Sequence, residues 1–552
     1  MFSVLDNAPV ALQVVVALLT FAITIPAATY FVSTLGFQSS LRHFKKLSGR
    51  KGGKPHLPPL LPYKIPVLGH AMVFLNTKPG RFHRRMLSEF YTNPQVGCIS
   101  ILLAGQRAHI ISSADLVIKL FKIRGVSRHK FNRDIMVNSN GLVGEDIVRA
   151  YERTAIDGRD QNVINEEINN KYLLPQHAVN VLTSKFMDTF YDQLIQEHID
   201  GGKEVPLYLF LRDRMFKAST VALYGPSILQ KIPNLADLFW PFDSGTLTRL
   251  FQVPKALMPG DYKALDDILD PWEQWTKYAL AHGGDKPMEV DWDELMGARI
   301  VRERHQMYGF LELSDRARAS FDLGFMFGLN SNAIPASGWM LLHLLHPSNS
   351  ELLKIVQKEV DRARRSDGTI DVPTLMSSTY MNSCFHETLR VYVDVLVTRT
   401  LTEDLVLDQY RMRKGDLIIA PSYVGGHDRW WSQGNVPPED VWFGERFLKH
   451  DEKTGEVTFS TNGINGHYFP FGGGTYICPG RVFAKQEVFG AVATFLSVYE
   501  AQAGECVGVT RRGKITKNKT NSDFPGVQEG FSGAGVVVPG GDIMVKLKKR
   551  KY

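Results

Sequence analysis

A single cysteine stands in a glycine-rich stretch directly before an apolar helical segment. Residues 471–480 read Phe-Gly-Gly-Gly-Thr-Tyr-Ile-Cys-Pro-Gly. Residues 481–500 predict a buried helix, because they are apolar almost all round after Lys485. Unpaired N–H groups and the dipole at a helix start favour a thiolate at Cys478. Gly480 has no side chain, so a flat group can lie close to the sulfur. A phosphate-binding loop is excluded because the Gly-Lys-Ser/Thr ending is missing, whereas a buried structural cysteine stays open as an alternative.

A carboxylate and two guanidinium groups form a second pattern. Glu387 and Arg390 lie three residues apart in a segment, residues 381–391, that predicts a helix. Residues at this spacing share a helix face and can pair, although most such pairs are solvated at a protein surface. Arg446 follows within residues 438–447, which read Pro-Glu-Asp-Val-Trp-Phe-Gly-Glu-Arg-Phe. A buried carboxylate between two arginines is stable only if all three groups are hydrogen-bonded.

Residues 321–345 predict a long, mostly apolar helix that is broken by Pro335. Proline has no N–H to donate to the carbonyl four residues earlier, so the helix is expected to open and leave the Ser331 carbonyl free for water. Asn332 can donate and accept hydrogen bonds, but it cannot supply a proton as an acid can. The alternative is that Asn332 only caps the broken turn.

These motifs, in this order, resemble the cytochrome P-450 family. The family's cysteine loop, F-x-x-G-x-x-x-C-x-G, is matched by Phe471, Gly474, Cys478 and Gly480. It follows the segment with Glu387 and Arg390, which matches the family's E-x-x-R helix. It also follows Arg446 in residues 438–447, which resemble the family's meander motif, and the order is the same in the family. The sequence around Pro335, small-x-Asn-small-Asn-x-x-Pro, and residues 533–542 are similar to one branch, which contains sterol 7α- and 12α-hydroxylases and prostacyclin synthase.

The resemblance implies a heme b cofactor and a role for each matched residue. Cys478 would be the metal ligand, its thiolate bound to the heme iron, with Phe471 packed against it. Glu387, Arg390 and Arg446 would form a structural triad that braces the loop. Ser331 and Asn332 would lie at the catalytic, oxygen-binding face. Arg399 would bind a haem propionate, or else be an exposed strand arginine. Tyr476 replaces the Arg or His of many members, and the Trp-x-x-x-Arg helix that often contacts the propionates is missing.

The leading hypothesis for function is therefore a monooxygenase of steroid, terpenoid or secondary metabolism. It would oxidise an apolar, lipid-like substrate with oxygen and with electrons from NADPH through a partner reductase. Arg481 and Lys485 could contribute to the reductase-docking surface, although an exposed lysine near a helix start often has no role. Two alternatives stay open: a haem-thiolate isomerase that rearranges a peroxide without NADPH, and a non-catalytic haem-binding protein.

The N-terminal sequence predicts a membrane anchor. Residues 10–37 carry no charged side chain, and about 20 apolar residues span a bilayer. A basic cluster follows, made of Arg42, Lys45, Lys46, Arg50, Lys51 and Lys54. The positive-inside rule therefore places the N-terminus in the lumen and the rest in the cytosol. A cleaved signal peptide is the alternative. We therefore expect a single-pass endoplasmic reticulum protein, with an anchor at 1–37, a basic and proline-rich hinge at 38–66 and a catalytic domain at 67–552.

Charge and cysteine content bear on the possible partners of the protein. The chain has 552 residues, a formal net charge of +7 and four cysteines without a CxxC pair. Nothing resembles a basic stripe with interleaved aromatics, so no nucleic-acid partner is expected.

Alternating runs predict strands at 96–103, 108–111 and 542–548, and helical periodicity predicts helices at 178–199, 291–304 and 351–364. The expected fold class is mainly α with a smaller β portion, preceded by one N-terminal transmembrane helix.

Overall fold

The computed structural model describes residues 10–47, 54–75, 81–153, 158–199, 202–286, 288–510, 513–519, 523–528 and 534–551. Arg50 and Lys51 of the basic cluster lie outside these ranges, as does Gly533. The first nine residues of the predicted anchor lie outside them too.

Helices make up most of the described chain, which confirms the predicted fold class. In chain order the helices are α1 Val10–Leu47, α2 Ala71–Leu75, α3 Arg81–Thr92, α4 Ala114–Leu120, α5 His129–Asp134, α6 Glu145–Tyr151, α7 Gln161–Leu173, α8 Gln176–Gln196, α9 Leu207–Tyr224, α10 Ser227–Lys231, α11 Leu235–Ser244, α12 Thr246–Leu250, α13 Pro259–Ala281, α14 Arg299–Phe310, α15 Asp315–Leu344, α16 Ser350–Ala363, α17 Val372–Met376, α18 Thr379–Tyr392, α19 Ser422–Gly426 and α20 Arg481–Val498.

The strands form one larger mixed sheet and several smaller antiparallel ones. They are β1 Cys98–Leu103, β2 Gln106–Ile111, β3 Val126–Ser127, β4 Glu204–Pro206, β5 Trp292–Asp293, β6 Gly297–Ala298, β7 Val393–Leu401, β8 Leu405–Leu407, β9 Tyr410–Met412, β10 Leu417–Pro421, β11 Leu448–His450, β12 Val457–Phe459, β13 Tyr499–Val509, β14 Ile515–Lys519, β15 Ala534–Val536 and β16 Gly541–Lys549. The larger sheet has the order β1-β2-β10-β7-β15, with β3 also paired to β7.

Helix α15 lies at the centre of the helical part and packs against α9, α13, α18 and α20. Its N-cap is Ser314, whose hydroxyl accepts a hydrogen bond from the Ala317 N–H at 3.2 Å. Near its C-terminal end, Trp339 stacks on Tyr392 of α18 with the ring centroids 3.9 Å apart. The Trp339 indole N–H also donates to the Val537 carbonyl at 2.6 Å. The central helix is thereby joined both to the E-x-x-R helix and to the segment after β15.

The predicted break at Pro335 is wrong, because α15 runs without interruption from Asp315 to Leu344. Losing one N–H removes a single hydrogen bond, whereas burial of the helix on nearly all sides keeps the remaining turns together.

The predicted helix at 291–304 is also partly wrong. It begins only at Arg299, after the short hairpin of β5 and β6. Gly297 adopts φ +65° there and lies so close to the Leu223 carbonyl that a side chain would not fit.

Helix α1 has two parts with different surroundings. It is long and apolar enough, by length and composition, to cross a membrane, and it continues through Pro26 and Gly36 to Leu47. Apolar side chains such as Phe31 are exposed in its first part, whereas Phe44 is buried with the strands of the larger sheet. The last turns of the helix are therefore part of the globular core, within the range expected to be hinge.

The proline-rich segment at 54–66 is attached to the larger sheet and to α1. Backbone bonds link Leu61 N–H to the Ser100 carbonyl at 2.9 Å and Ser100 N–H to the Pro59 carbonyl at 2.7 Å. The Tyr63 N–H donates to the Ser33 hydroxyl of α1 at 3.1 Å. These contacts fix the direction in which α1 leaves the domain.

We predict that Phe44→Ala lowers the free energy of unfolding by about 3–5 kcal/mol, since it empties a buried aromatic site. The matched control, Phe31→Ala, removes a ring that is 64% exposed and should change stability by less than about 0.5 kcal/mol. Urea unfolding of the detergent-solubilised chain measures both. Equal effects of the two substitutions would show that α1 does not pack on the domain.

Candidate active site

The cysteine loop, residues 471–480, folds back on itself before α20. The Cys478 N–H donates to the Phe471 carbonyl at 2.9 Å, which closes the loop. Gly474 adopts φ +67°, and a Cβ there would lie 2.4 Å from the Phe121 carbonyl. A Cβ on Gly473 would lie 2.3 Å from the Phe121 ring. Two of the three consecutive glycines are therefore required by close packing against Phe121, a residue that the sequence did not single out.

The sulfur of Cys478 lies at the start of α20, as the sequence predicts. Gly480 is the N-cap residue, and a Cβ built on it would lie 3.8 Å from the sulfur. Burial raises the pKa of the Cys478 thiol, while the N–H groups of Gly480 and Arg481 and the charges of Arg128 and Arg481 oppose that rise. The helix start and the two guanidinium charges thus favour the thiolate, whereas desolvation favours the thiol.

Two guanidinium groups lie beside the loop. Arg399 of β7 is buried, donates to the Gly473 carbonyl at 3.2 Å and lies over the Tyr476 ring at 4.9 Å. Arg128, at the start of α5, is close enough to Cys478 and Tyr476 to interact with both electrostatically. Burial and the charge of Arg128 lower the pKa of Arg399 to about 10. Within the described ranges no carboxylate lies within 4 Å of either arginine, so the pair is arranged to receive an anion.

The sequence predicts Arg399 at this place but misses Arg128. No motif marks Arg128, because it reaches the loop through the tertiary fold, by the pairing of β3 with β7.

Arg481 and Lys485 are less available for docking a reductase than expected. The Arg481 guanidinium donates to the Cys478 carbonyl at 2.9 Å. Lys485 is half-buried over the Phe489 ring, and burial lowers its pKa.

Glu387, Arg390 and Arg446 come together in the interior, as the sequence predicts. Arg390 forms two hydrogen bonds to the Glu387 carboxylate at 2.7 and 2.9 Å. Arg446 adds a third at 3.0 Å, and the Phe443 N–H adds a fourth at 2.8 Å. All three charged side chains are almost completely buried. The carboxylate is thus fully hydrogen-bonded, which is the condition for a buried charge to be tolerated.

The remaining N–H groups of Arg390 and Arg446 donate hydrogen bonds to backbone carbonyls. Arg390 donates to Gly426 and Glu439, each at 2.6 Å. Arg446 donates to Trp431 at 2.7 Å and to Pro437 at 3.1 Å. One ionic cluster therefore fixes α18 against the segment 426–441, which leads into the meander.

That segment holds the chain just before the cysteine loop. Trp430 stacks on His467 with ring centroids 4.6 Å apart. Tyr468 hydrogen-bonds through its hydroxyl to His386 of α18 at 2.8 Å. The ionic cluster therefore positions the loop through residues that lie between them.

Ser331 and Asn332 point to different partners. The Asn332 amide nitrogen donates to the Gly328 carbonyl at 3.0 Å, and its oxygen accepts from the Val536 N–H of β15 at 3.1 Å. The Ser331 hydroxyl donates to the buried carboxylate of Asp243 in α11. Gly328 is exposed although it lies in the middle of a buried helix, and a built Cβ would have nothing within 4 Å. Open space therefore borders α15 beside Asn332.

A set of contacts connects this part of α15 to the cysteine loop. Strand β15 joins Asn332 to the N-terminal end of β7, and Arg399 joins the other end of β7 to the loop. On another side, a Cβ on Gly324 would meet the side chains of Met136 and Asn140. Their segment follows Arg128 and α5. A continuous set of contacts thus connects the loop, the two strands, α15 and the segment 128–140.

Comparison with known proteins agrees with this geometry. The sequence model of the family described as Cytochrome P450 matches residues 293–515. Cytochrome P450 monooxygenase fsoE of Humicola fuscoatra is 27% identical over 568 residues, covering 95% of this chain and 94% of the relative. The chain is similar to a cytochrome P450 over nearly its whole length. A cholesterol 7-alpha-monooxygenase of Cricetulus griseus is 24% identical over 431 residues, 72% of this chain and 78% of the relative.

The P450 fold is shared with a solved structure as well. Retinoic acid-bound cyanobacterial CYP120A1 superposes with a TM-score of 0.62 at 18% identity, over 90% of this chain and 100% of that one. The predicted family, its similarity to the sterol 7α-hydroxylase branch and the predicted enzyme class are confirmed: this P450 is a monooxygenase. Neither the isomerase nor the non-catalytic alternative gains support from the named relatives.

P450 proteins hold haem iron by a cysteine thiolate, and the residues described here fit that group. The sulfur is a soft donor at a helix start, and Gly480 leaves room beside it. The two guanidiniums without a carboxylate match the two propionates of a haem. On α15, a Cβ built on Gly328 would have nothing within 4 Å.

We predict that Glu387→Ala lowers the free energy of unfolding by about 3–5 kcal/mol, because it leaves two buried guanidiniums without their carboxylate. Glu351→Ala is the matched control. Glu351 also pairs with a cation three residues away, Lys354, but its side chain is 81% exposed, so the cost should be below about 1 kcal/mol. Chemical unfolding, with haem content measured in parallel, tests both. A stable, haem-loaded Glu387→Ala protein would contradict the structural role.

Proposed function

We propose that this P450 inserts one oxygen atom into an apolar steroid, terpenoid or lipid-like compound, with electrons delivered from NADPH by a membrane-bound reductase. The observation that carries the proposal is the half-buried Cys478 at a helix start with two guanidiniums beside it. The cholesterol 7-alpha-monooxygenase relative supports the substrate class. The partly exposed apolar side chains Phe325, Phe327 and Leu329, which flank Gly328, support it as well.

We assign the residues as follows. Cys478 would hold the haem iron through its thiolate, and Phe471, Gly474 and Gly480 shape the loop that carries this cysteine. Arg399 and Arg128 bind the propionates in place of the Arg or His that Tyr476 replaces. When bound, the haem supplies oxygen activation, which a thiolate ligand favours. Asn332 holds the Gly328 carbonyl and the Val536 N–H, so it keeps the wall of the oxygen-binding face in shape.

We also propose a place in the cell. Residues 1–37 form a single-pass anchor and 67–552 the catalytic domain, on the cytosolic face of the endoplasmic reticulum. Residues 38–66, which we expected to be a hinge, connect the two and pack on the domain. The exposed apolar part of α1 supports the anchor. The attachment of the proline-rich segment to the sheet supports a fixed orientation of the domain relative to the membrane.

Cys478→Ala should abolish the red-shifted absorption band that reduced, thiolate-ligated haem gives with carbon monoxide, because no other side chain there can replace the sulfur. Cys384→Ala is the control, since Cys384 is buried in α18; the band should persist in that variant. Persistence of the band in the Cys478 variant would overturn the assignment of the ligand.

The function itself is tested with the full chain in lipid vesicles, together with a P450 reductase, NADPH and ¹⁸O₂. Cholesterol, lanosterol, farnesol and palmitate serve as probes of the three substrate classes. We expect one labelled oxygen atom in the product of at least one probe and no product without NADPH. Conversion of a lipid peroxide without NADPH, with no labelled product from any probe, would instead favour the isomerase.

A further inference from the structure

One face of α15 holds the C-terminal part of the chain. Four residues at spacings of four, seven and four positions share this face: Gly328, Asn332, Trp339 and His343. The last three each contact one of two segments, residues 523–528 and 534–541, which we call the C-terminal ribbon. The same helix face therefore carries both the open space beside Gly328 and the contacts of the ribbon.

The two segments of the ribbon are paired with each other. The Gln528 N–H donates to the Val538 carbonyl at 2.8 Å, and the Gly540 N–H donates to the Gly526 carbonyl at 2.7 Å. The second segment begins with β15, which pairs with β7. A side chain that holds the first segment in place therefore also restrains the second.

The first segment is held by stacked aromatic rings. Phe524 lies on His343 with the ring centroids 4.4 Å apart, and His343 lies on Trp442 of the meander, also at 4.4 Å. The Tyr392 hydroxyl lies 2.6 Å from Nε2 of His343. Burial lowers the pKa of His343 well below its usual value and raises the pKa of Tyr392, so a neutral tyrosine donates to a neutral imidazole. We call His343, Tyr392 and Phe524 the aromatic clamp.

The second segment reaches Asn332. The Val537 N–H donates to the Tyr392 carbonyl at 2.8 Å. One residue earlier, the Val536 N–H donates to the side-chain oxygen of Asn332 at 3.1 Å. A Cβ on Gly535 would lie 2.1 Å from that oxygen, so the ribbon backbone approaches the amide as closely as a glycine allows. The position of the ribbon therefore determines the orientation of the Asn332 amide.

We propose that His343 is a positioning residue, which holds Phe524 and the C-terminal ribbon against α15 and thereby fixes the orientation of the Asn332 amide. His343 and Asn332 are 11 residues apart in one helix, which is about 16 Å at 1.5 Å per residue. His343 thus acts through the ribbon and not by contact. That the Asn332 amide faces the substrate rests on the function proposed above, whereas the hold on the ribbon does not.

The first test measures hydrogen exchange in the full-length, haem-loaded chain in lipid vesicles. In His343→Ala we expect the Val536 and Val537 amides to exchange about tenfold faster, because loss of the stacked ring makes local opening of the ribbon easier. The Val545 amide should be unchanged, since β16 pairs with β13 and β4 instead. Unchanged exchange at Val536 would overturn the proposal.

Matched variants separate the stack from the hydrogen bond. Combining His343→Phe with Tyr392→Phe keeps flat rings at both positions and removes both partners of the bond, which is nearly neutral when the shape is kept. This double variant should exchange like the unchanged chain; fast exchange in it would overturn the role of the stack. His282→Ala is the control. It removes an exposed ring that lies 4.3 Å from Tyr278 at the end of α13, and it should leave exchange of the ribbon unaltered.

The second test asks whether the clamp acts on substrate through Asn332. Cholesterol is titrated into the same haem-loaded vesicles, and its affinity is read from the shift in haem absorbance. We expect His343→Ala to weaken this affinity about three- to tenfold, with KM changing more than kcat. In an Asn332→Ala background the same substitution should have no further effect, because the two residues act in series.

The outcomes separate the clamp from the proposed function. An equal loss of affinity with and without the Asn332 side chain would show that the clamp only stabilises the ribbon, and would overturn the positioning role. If neither cholesterol nor the other probes shift the absorbance of the unchanged chain, the proposed substrate classes fail. Exchange at Val536 then still decides the proposal, since that amide reports directly on the hydrogen bond to Asn332.

Discussion

Glu387 places a negative charge where no water can reach it, and much of the site depends on how that charge is satisfied. Arg390, Arg446 and the Phe443 N–H surround the carboxylate, and the two arginines then bind carbonyls of the segment 426–441. Separation of any one group would leave an uncompensated buried charge, at a cost of several kcal/mol. The cluster therefore holds α18, the meander and the chain before the cysteine loop in one arrangement.

The cysteine loop is held rigidly by packing, and it brings a thiol and two guanidinium groups close together. Close packing of its glycines on Phe121 fixes the backbone, so the sulfur has little freedom of position. Cys478 is half-buried, and desolvation raises the pKa of its thiol and lowers the pKa of Arg128 and of Arg399. The charged form of each group is therefore disfavoured unless an opposite charge lies beside it. A group that is cationic at its centre and anionic at its rim satisfies all three at once. An iron porphyrin with two propionates has that charge pattern.

Two neighbouring residues of α15, Ser331 and Asn332, have different hydrogen-bond partners. Asn332 is committed to the backbone of its own helix and of β15, whereas Ser331 faces α11 and the acid there. Pro335 interrupts one backbone hydrogen bond without breaking the helix, because burial of the flanking turns holds it together. The polar groups beside the open space are thus supplied by three different elements, although only one of them carries the recognisable motif.

The sequence by itself determined the cysteine at a helix start, the family and the partners of Glu387, because these depend on local spacing and on motifs in a fixed order. It also determined the mainly helical class and the apolar N-terminal helix, since periodicity and hydrophobicity are local properties. Only the tertiary structure decided that Arg128 joins Arg399, that Phe121 supports the glycines and that Asp243 reaches Ser331. Each of these pairs joins segments that are distant along the chain, and no local pattern records which distant segment a buried side chain will meet. The end of α1 and the continuity of α15 were decided in the same way, because packing against the core outweighed the helix-breaking tendency of Gly36 and Pro335.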